Sequence, residues 1–170
     1  SYTGKLNASL ARIAKATHLA MAVGSQSVAL KQPALQSTFE TVREINPDGV
    51  IAANIGANHS AVDAQKAIDM IDANLLEVHI NAAQEIVMPE GDRQFNWLTN
   101  IKEIVQSVSV PVIVKEVGFG MTKQTMQKLA AIGVQSINVA GQGGTNFVKI
   151  EKERRHDKVY GYLQDYAITP

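Results

Sequence analysis

His79, Asn81, Gln84 and Glu85 fall within seven residues, in the stretch HINAAQE. An imidazole, two amides and a carboxylate can hold a diphosphate, bind a hard cation through the carboxylate oxygens, and pass a proton. The same set can equally be a satisfied polar cluster that caps a strand. Lys115 stands alone in the apolar run of PVIVKEVGFG. Burying an ammonium costs several kcal/mol unless a negative partner meets it, so a bound anion or an electron-rich ring is one reading of Lys115. A salt bridge to another strand, for instance to Glu77, is the other, and Glu116 on the opposite strand face reads as an ion-pair partner. GQGGTNF offers three glycines, Thr145 and Asn146 after a strand. Glycine lets backbone N–H groups approach a ligand closely, but a tight turn explains the stretch as well, and it matches neither the dinucleotide fingerprint nor the triphosphatase loop.

Other polar residues carry weaker signals. His18, His59 and His156 are scattered without zinc spacing and read as surface or packing residues. Glu90, Asp92 and Arg93 lie in the Pro/Gly loop MPEGDR, which reads as a solvated turn. Sixteen basic residues balance sixteen acidic ones, so net charge steers the chain toward neither nucleic acid nor an anionic membrane. The absence of cysteine excludes disulfides and thiolate metal sites and is expected of a reducing cytoplasm. No apolar run approaches the roughly 20 residues that span a bilayer, and no signal peptide is recognisable. A soluble cytoplasmic protein is the expectation.

These residues need elements to position them. Leu6, Leu10, Ile13, Ala14 and Thr17 predict a helix over 5–19, and MAVGSQ predicts a short strand after it. The pair then repeats: STFETVREINP is a helix stopped at Pro47 before the strand GVIAANIGA, and SAVDAQKAIDMIDA is a helix capped by Ser60 before the strand LLEVHIN. After a polar loop, WLTNIKEIVQSV and TKQTMQKLAAIG are helices preceding the strands VPVIVKEVG and SINVAGQGG. The mixed-charge tail from 149 to 170 predicts a helix with a solvated face. Strands alternating with helices predict an α/β class with a parallel sheet, and no linker divides residues 1–170, so one domain is expected.

Every strand ends in polar residues: Ser25 and Gln26, Asn54, His79 and Asn81, Lys115, and Asn138. Working residues at many strand ends favour a (β/α)8 TIM barrel over a doubly wound sheet, which gathers them at one switch point. Alternation puts Val23 with Ser25, Ala52 with Asn54, Glu77 with His79 and Asn81, Ile113 with Lys115, and Asn138 with Ala140 on one face. Val78, Ile80, Val112 and Val114 then face the helices. Five strands do not close a barrel of eight, so the chain reads as an incomplete barrel, a piece of something longer, whose exposed edges favour homo-oligomerisation.

Together, MAVGSQ, AANIGA, VHINAAQEIVMPEGDRQF, PVIVKEVGFGM and GQGGTNFVKIEKERR resemble the type 2 isopentenyl-diphosphate isomerases, over essentially the whole chain and in the same order. The resemblance implies that the chain supplies about strands two to six of a longer flavin-dependent barrel. It implies interconversion of isopentenyl and dimethylallyl diphosphate with reduced FMN and Mg2+, NADPH or a similar donor having reduced the flavin. Carried over residue by residue, Ser25, Asn54, Lys115 and Thr145 match FMN-contacting positions, and Ser25, Gln26 and Ser27 match the segment against the substrate. His79, Asn81 and Gln84 match the catalytic substrate pocket, and Glu85 matches the Mg2+ ligand. Lys115 would favour anionic reduced flavin, and Gln84 would orient the alkene, because an amide is a poor acid or base near neutral pH.

Two departures qualify the resemblance. Ala140 and Gln142 stand where the family often has serine and arginine before the glycine pair, which puts one flavin hydrogen bond in doubt. The family's first strand, its amino-terminal phosphate-holding Arg and Lys, and its Gly-rich loops after strands seven and eight are missing, so this chain alone is expected to bind FMN weakly and to turn over little. Another FMN barrel acting on α-hydroxy acids is an alternative, but it needs an arginine facing the flavin and none stands at a strand end. A silent binding half-barrel is a second.

Overall fold

The computed structural model describes residues 1–155 and 160–168; His156 lies outside the described residues. The five predicted strands form one sheet: β1 (Met21–Ala22), β2 (Ile51–Gly56), β3 (Leu75–His79), β4 (Val112–Lys115) and β5 (Ser136–Asn138). All neighbours are parallel and the order across the sheet is the order along the chain. The chain is therefore α/β, with a parallel sheet curled into a half-barrel.

Eight α-helices accompany the strands among the described residues: α1 (Tyr2–Thr17), α2 (Ser27–Lys31), α3 (Ser37–Ile45), α4 (Ala61–Met70), α5 (Ala82–Val87), α6 (Trp97–Ser107), α7 (Lys123–Ala131) and α8 (Phe147–Arg154). Local chemistry sets several of their starts. Ser60 and Asp63 form a reciprocal capping box on α4, while Thr122 and Asn146 accept the orphan amides of Thr125 and Lys149 at α7 and α8. The predicted tail helix is shorter than expected: α8 ends at Arg154, and a 3-10 turn follows at Gly161–Asp165.

Alternation places the core. Ala53 and Ile55, Leu76 and Val78, and Val112 and Val114 are buried against Phe39 and Val42 of α3, Ala64 and Ala67 of α4, and Ile101 and Ile104 of α6. The expected helix-facing set Val78, Val112 and Val114 is in this core, and Ile80 packs on its edge. Val23 requires correction. Ala22 pairs with Ala52, so Val23 falls in the row of Ala53 and is buried in the core, away from the face that carries Asn54. The face of α1 also departs from expectation, Ala14 alone of the predicted apolar set being buried. Asn7, Ala11 and Ala14 are buried, while Leu6, Leu10 and Ile13 point outward, because small side chains allow α1 to lie closely on α3.

The amino ends of β2 and β3 are tied by one side chain. The Arg43 guanidinium donates to the carbonyl oxygens of Ile71, Pro47, Gly49 and Asp72 and to Asn74 Oδ1, which also accepts from the Ile51 amide at 2.9 Å. A planar fork with five donors can hold this many acceptors at once. That leaves the carboxyl ends of the strands free for other work.

Candidate functional site

The carboxyl ends open into a cavity of about 1020 Å3 lined by Ser25, Ser27, Asn54, His79, Asn81, Gln84, Glu85, Lys115 and Thr145, among others. Register explains the convergence: Asn54 and Glu77 are paired on one row, and Gly56, His79, Lys115 and Asn138 on the next. In a parallel sheet such rows point the same way.

Hydrogen bonds fix the orientation of this floor. Asn54 Nδ2 donates to Glu77 Oε2 at 3.1 Å, which leaves Asn54 Oδ1 to accept from His79 Nδ1 at 2.9 Å. A carboxylate can only accept, so Glu77 sets the amide, and the amide sets the imidazole tautomer. His79 therefore carries its proton on Nδ1 and keeps a lone pair on Nε2. Burial, the nearby Lys115 charge and His59 together push its pKa down to about 4, so the imidazole is neutral at ordinary pH. Gly56 makes the room: a methyl there would lie 3.1 Å from His79 Nε2 and 2.7 Å from Asn58 Oδ1.

Lys115 is half-buried and donates to the Glu116 carbonyl oxygen at 3.1 Å. Among the described residues it is in no salt bridge, and the Glu77 carboxylate expected as its alternative partner is bonded to Asn54. Its charge is thus left for the cavity. Glu116 is not the ion-pair partner that the sequence suggested. Its buried carboxylate Oε2 accepts from four successive amides, those of Val117 (2.6 Å), Gly118 (2.7 Å), Phe119 (2.5 Å) and Gly120 (3.1 Å). The positive φ of Gly118 and Gly120 lets the chain wrap around one oxygen.

The HINAAQE stretch is not all strand end. Asn81 is the residue before α5, so Gln84 and Glu85 follow it by one helical turn. Asn81 Nδ2 donates to Gln84 Oε1 at 3.2 Å and to Glu85 Oε1 at 2.9 Å, and Glu85 Oε2 accepts from the Asp92 amide at 2.6 Å. Each Glu85 oxygen keeps a free lone-pair direction, which suits attachment of one hard cation whose other ligands come from a bound molecule or water. Among the described residues no cluster of three or more metal-ligating side chains exists. MPEGDR is structured rather than freely solvated: Arg93 bonds to the carbonyl oxygens of Glu85 and Met88, and Asp92 Oδ2 accepts from Trp97 Nε1 at 2.9 Å.

Gln26 is placed elsewhere than its neighbours Ser25 and Ser27. Its side chain is fully buried, donating to the Ala67 carbonyl oxygen at 2.9 Å and accepting from the Asn54 amide at 3.0 Å, and it does not line the cavity. The strand ends at Ala22, so alternation no longer governs position 26. Thr145 lines the cavity from an exposed loop, in which Ala140 has a left-handed φ of 37° and donates its amide to Asn138 Oδ1.

Among the residues that escaped sequence reasoning are His59 in the cavity wall and Glu151 behind Gln84. His59, read as a surface or packing residue, lines the cavity and bonds Ser27 Oγ at 2.7 Å. Glu151, read as part of a solvated helix face, is buried, accepts from Gln84 Nε2 at 3.3 Å and from Arg154 at 2.6 Å. Its signal was the capping Asn146, which starts α8 and sets Val148 and Glu151 three apart on one face.

No helix of the described residues is long and apolar enough to cross a membrane. No family model matches the chain. The isopentenyl-diphosphate delta-isomerase of Latilactobacillus sakei is 60% identical over 165 residues, covering 97% of this chain and 47% of that protein. The isomerases of the same name from Listeria monocytogenes and Lacticaseibacillus paracasei are 54% identical over 169 residues and 53% identical over 167 residues. They cover 99% and 98% of this chain, and 47% and 48% of their own lengths. The chain spans about half the length of the curated relatives it matches, and over that half it is similar to proteins named for isomerising isopentenyl diphosphate.

Proposed function

We propose that this chain forms the central part, strands two to six, of a (β/α)8 barrel that interconverts isopentenyl and dimethylallyl diphosphate. The observation that carries the reading is the delivery of Ser25, Asn54, His79, Asn81, Gln84, Glu85, Lys115 and Thr145 to one cavity, in a chain similar along nearly all its length to isomerases of that name. Carboxyl-end convergence from many strands is where barrel enzymes place their chemistry.

Ser25, Asn54, Lys115 and Thr145 would hold FMN, and the cavity is large enough for a flavin ring with a small diphosphate beside it. Reduced FMN, prepared by NADPH or a similar donor, would supply the proton exchange at the alkene carbons. Lys115, a cation without a carboxylate partner among the described residues, would stabilise negative charge on a bound ring. Glu85 would hold Mg2+ through its carboxylate, and the ion would supply positive charge to a bound diphosphate. Asn81 positions both neighbours on α5, fixing Gln84 to orient the alkene. His79, neutral with Nε2 as acceptor, binds substrate without adding positive charge near the reacting carbons.

The test is to supply reduced FMN, Mg2+ and isopentenyl diphosphate to the complete protein and measure dimethylallyl diphosphate. Product formation is expected, and its absence overturns the reading. In the same protein Gln84→Ala should lower turnover at least about tenfold while largely sparing FMN binding, since it removes an orienting amide and not a cofactor contact.

A further inference from the structure

At one side of the cavity, the carboxylate of Asp63 lies 3.4 Å from His59 Nδ1, His59 Nε2 lies 2.7 Å from Ser27 Oγ, and Ser27 Oγ lies 2.8 Å from Ser25 Oγ. The His59 side chain is 11% exposed, so this chain of contacts runs from the Asp63 side into the cavity through a mostly buried ring. We propose that His59 is a positioning residue that sets, through Ser27, whether the Ser25 hydroxyl offers a proton or a lone pair to an anion in the cavity.

Donor counting gives the two states. The Asp63 carboxylate only accepts, so a neutral His59 carries its proton on Nδ1 and accepts at Nε2. Ser27 has one hydroxyl proton and must give it to Nε2. Its oxygen then accepts from Ser25, and Ser25 shows the cavity only lone pairs. When His59 gains a second proton, Nε2–H donates to Ser27 Oγ. Ser27 turns its proton onto Ser25 Oγ, and the Ser25 proton is released to donate into the cavity. One proton added at His59 thus reverses the polarity of both hydroxyls, and an anion prefers the second state because it meets a donor there.

The charged and titratable groups around His59 come from three elements. Asp63 on α4 sets its carboxylate against His59 Nδ1, and Lys31 at the end of α2 lines the same cavity. His59 is one of the causes holding the pKa of His79 on β3 down at about 4. His79 therefore stays neutral between pH 6 and pH 8 and does not confuse a measurement there.

The inference extends the proposed isomerase reading, in which the anion is a diphosphate, but its test requires no turnover. Inorganic sulfate, a dianion throughout this range, is titrated into the folded chain at pH 6 and pH 8 while the amide NMR signals of Gly24, Ser25 and Ser27 are followed. Sulfate should bind about fivefold more tightly at pH 6 in the unaltered chain, the size of one ordinary net hydrogen bond at an exposed hydroxyl. His59→Gln should reduce that ratio below about twofold, and Ser27→Ala, which cuts the relay but leaves the imidazole, should remove at least half of it. A pH-independent affinity overturns the proposal, as does no response at these amides. So does a Ser27→Ala chain that keeps the whole effect, because then the charge acts directly on the anion. If the complete protein forms no dimethylallyl diphosphate but these ratios hold, the relay stands and the isomerase reading falls.

Discussion

Asn54 shows how a site residue can be both legible and incompletely understood from sequence. Its place at a strand end follows from alternation, as do those of His79 and Lys115. What alternation does not give is that Glu77 turns the Asn54 amide and thereby sets the His79 proton on Nδ1. Nor does it locate His59 or Glu151, whose partners lie 32 and 67 residues away in sequence. Gln26 was misplaced for the same reason: its fate depends on Ala67 and Asn54, neither of them near it in the chain. The buried neutral state of His79 has a measurable cost. Between the ordinary value of 6.5 and about 4, the unfolded chain takes up a proton that the folded chain refuses. Stability is therefore unaffected above that window, falls as pH drops through it, and falls no further from this group below it, a loss of about 3 kcal/mol in total. Urea unfolding at pH 7 and pH 4 should show His79→Gln losing about 3 kcal/mol less between the two than the unaltered chain.

At the scale of elements, the alternating strands and the capped helices α4 and α7 were legible because each carries its own periodicity and its own stop signal. The short helices α2 and α5 were not, since one or two turns show no period, and the face of α1 was turned from that of its leucines because leucines suggest burial more strongly than alanines do. The loop after β4 illustrates a feature that spacing alone misread. Glu116 holds the amides of Val117 through Gly120 on one oxygen, and its main-chain carbonyl receives the Lys115 ammonium. Glu116 thus ties the shape of the loop to the position of the cavity's cation. Glu116→Ala would leave four amides without their acceptor, at about 3 kcal/mol or more. Hydrogen exchange should show those four amides losing protection, with β2 and β3 much less affected.

For the molecule as a whole, β1 and β5 each have one strand neighbour among the described residues, and α1 turns Tyr2, Leu6, Leu10 and Ile13 to solvent. Unpaired parallel edges beside an outward apolar stripe favour association. Sedimentation velocity on the 170-residue chain should show concentration-dependent self-association. The half-barrel and its cavity were legible from the strand-end polar residues; how the open side is covered was not, since no pattern within a strand encodes its neighbour across an edge. The sequential strand order has one more consequence. Each new strand is laid against the one completed just before it, so a chain emerging from the ribosome never has to hold a gap for a later segment. The sheet can grow like a fan opened leaf by leaf, and cutting the backbone between β3 and β4 would part it along one seam into two contiguous pieces instead of two interleaved ones.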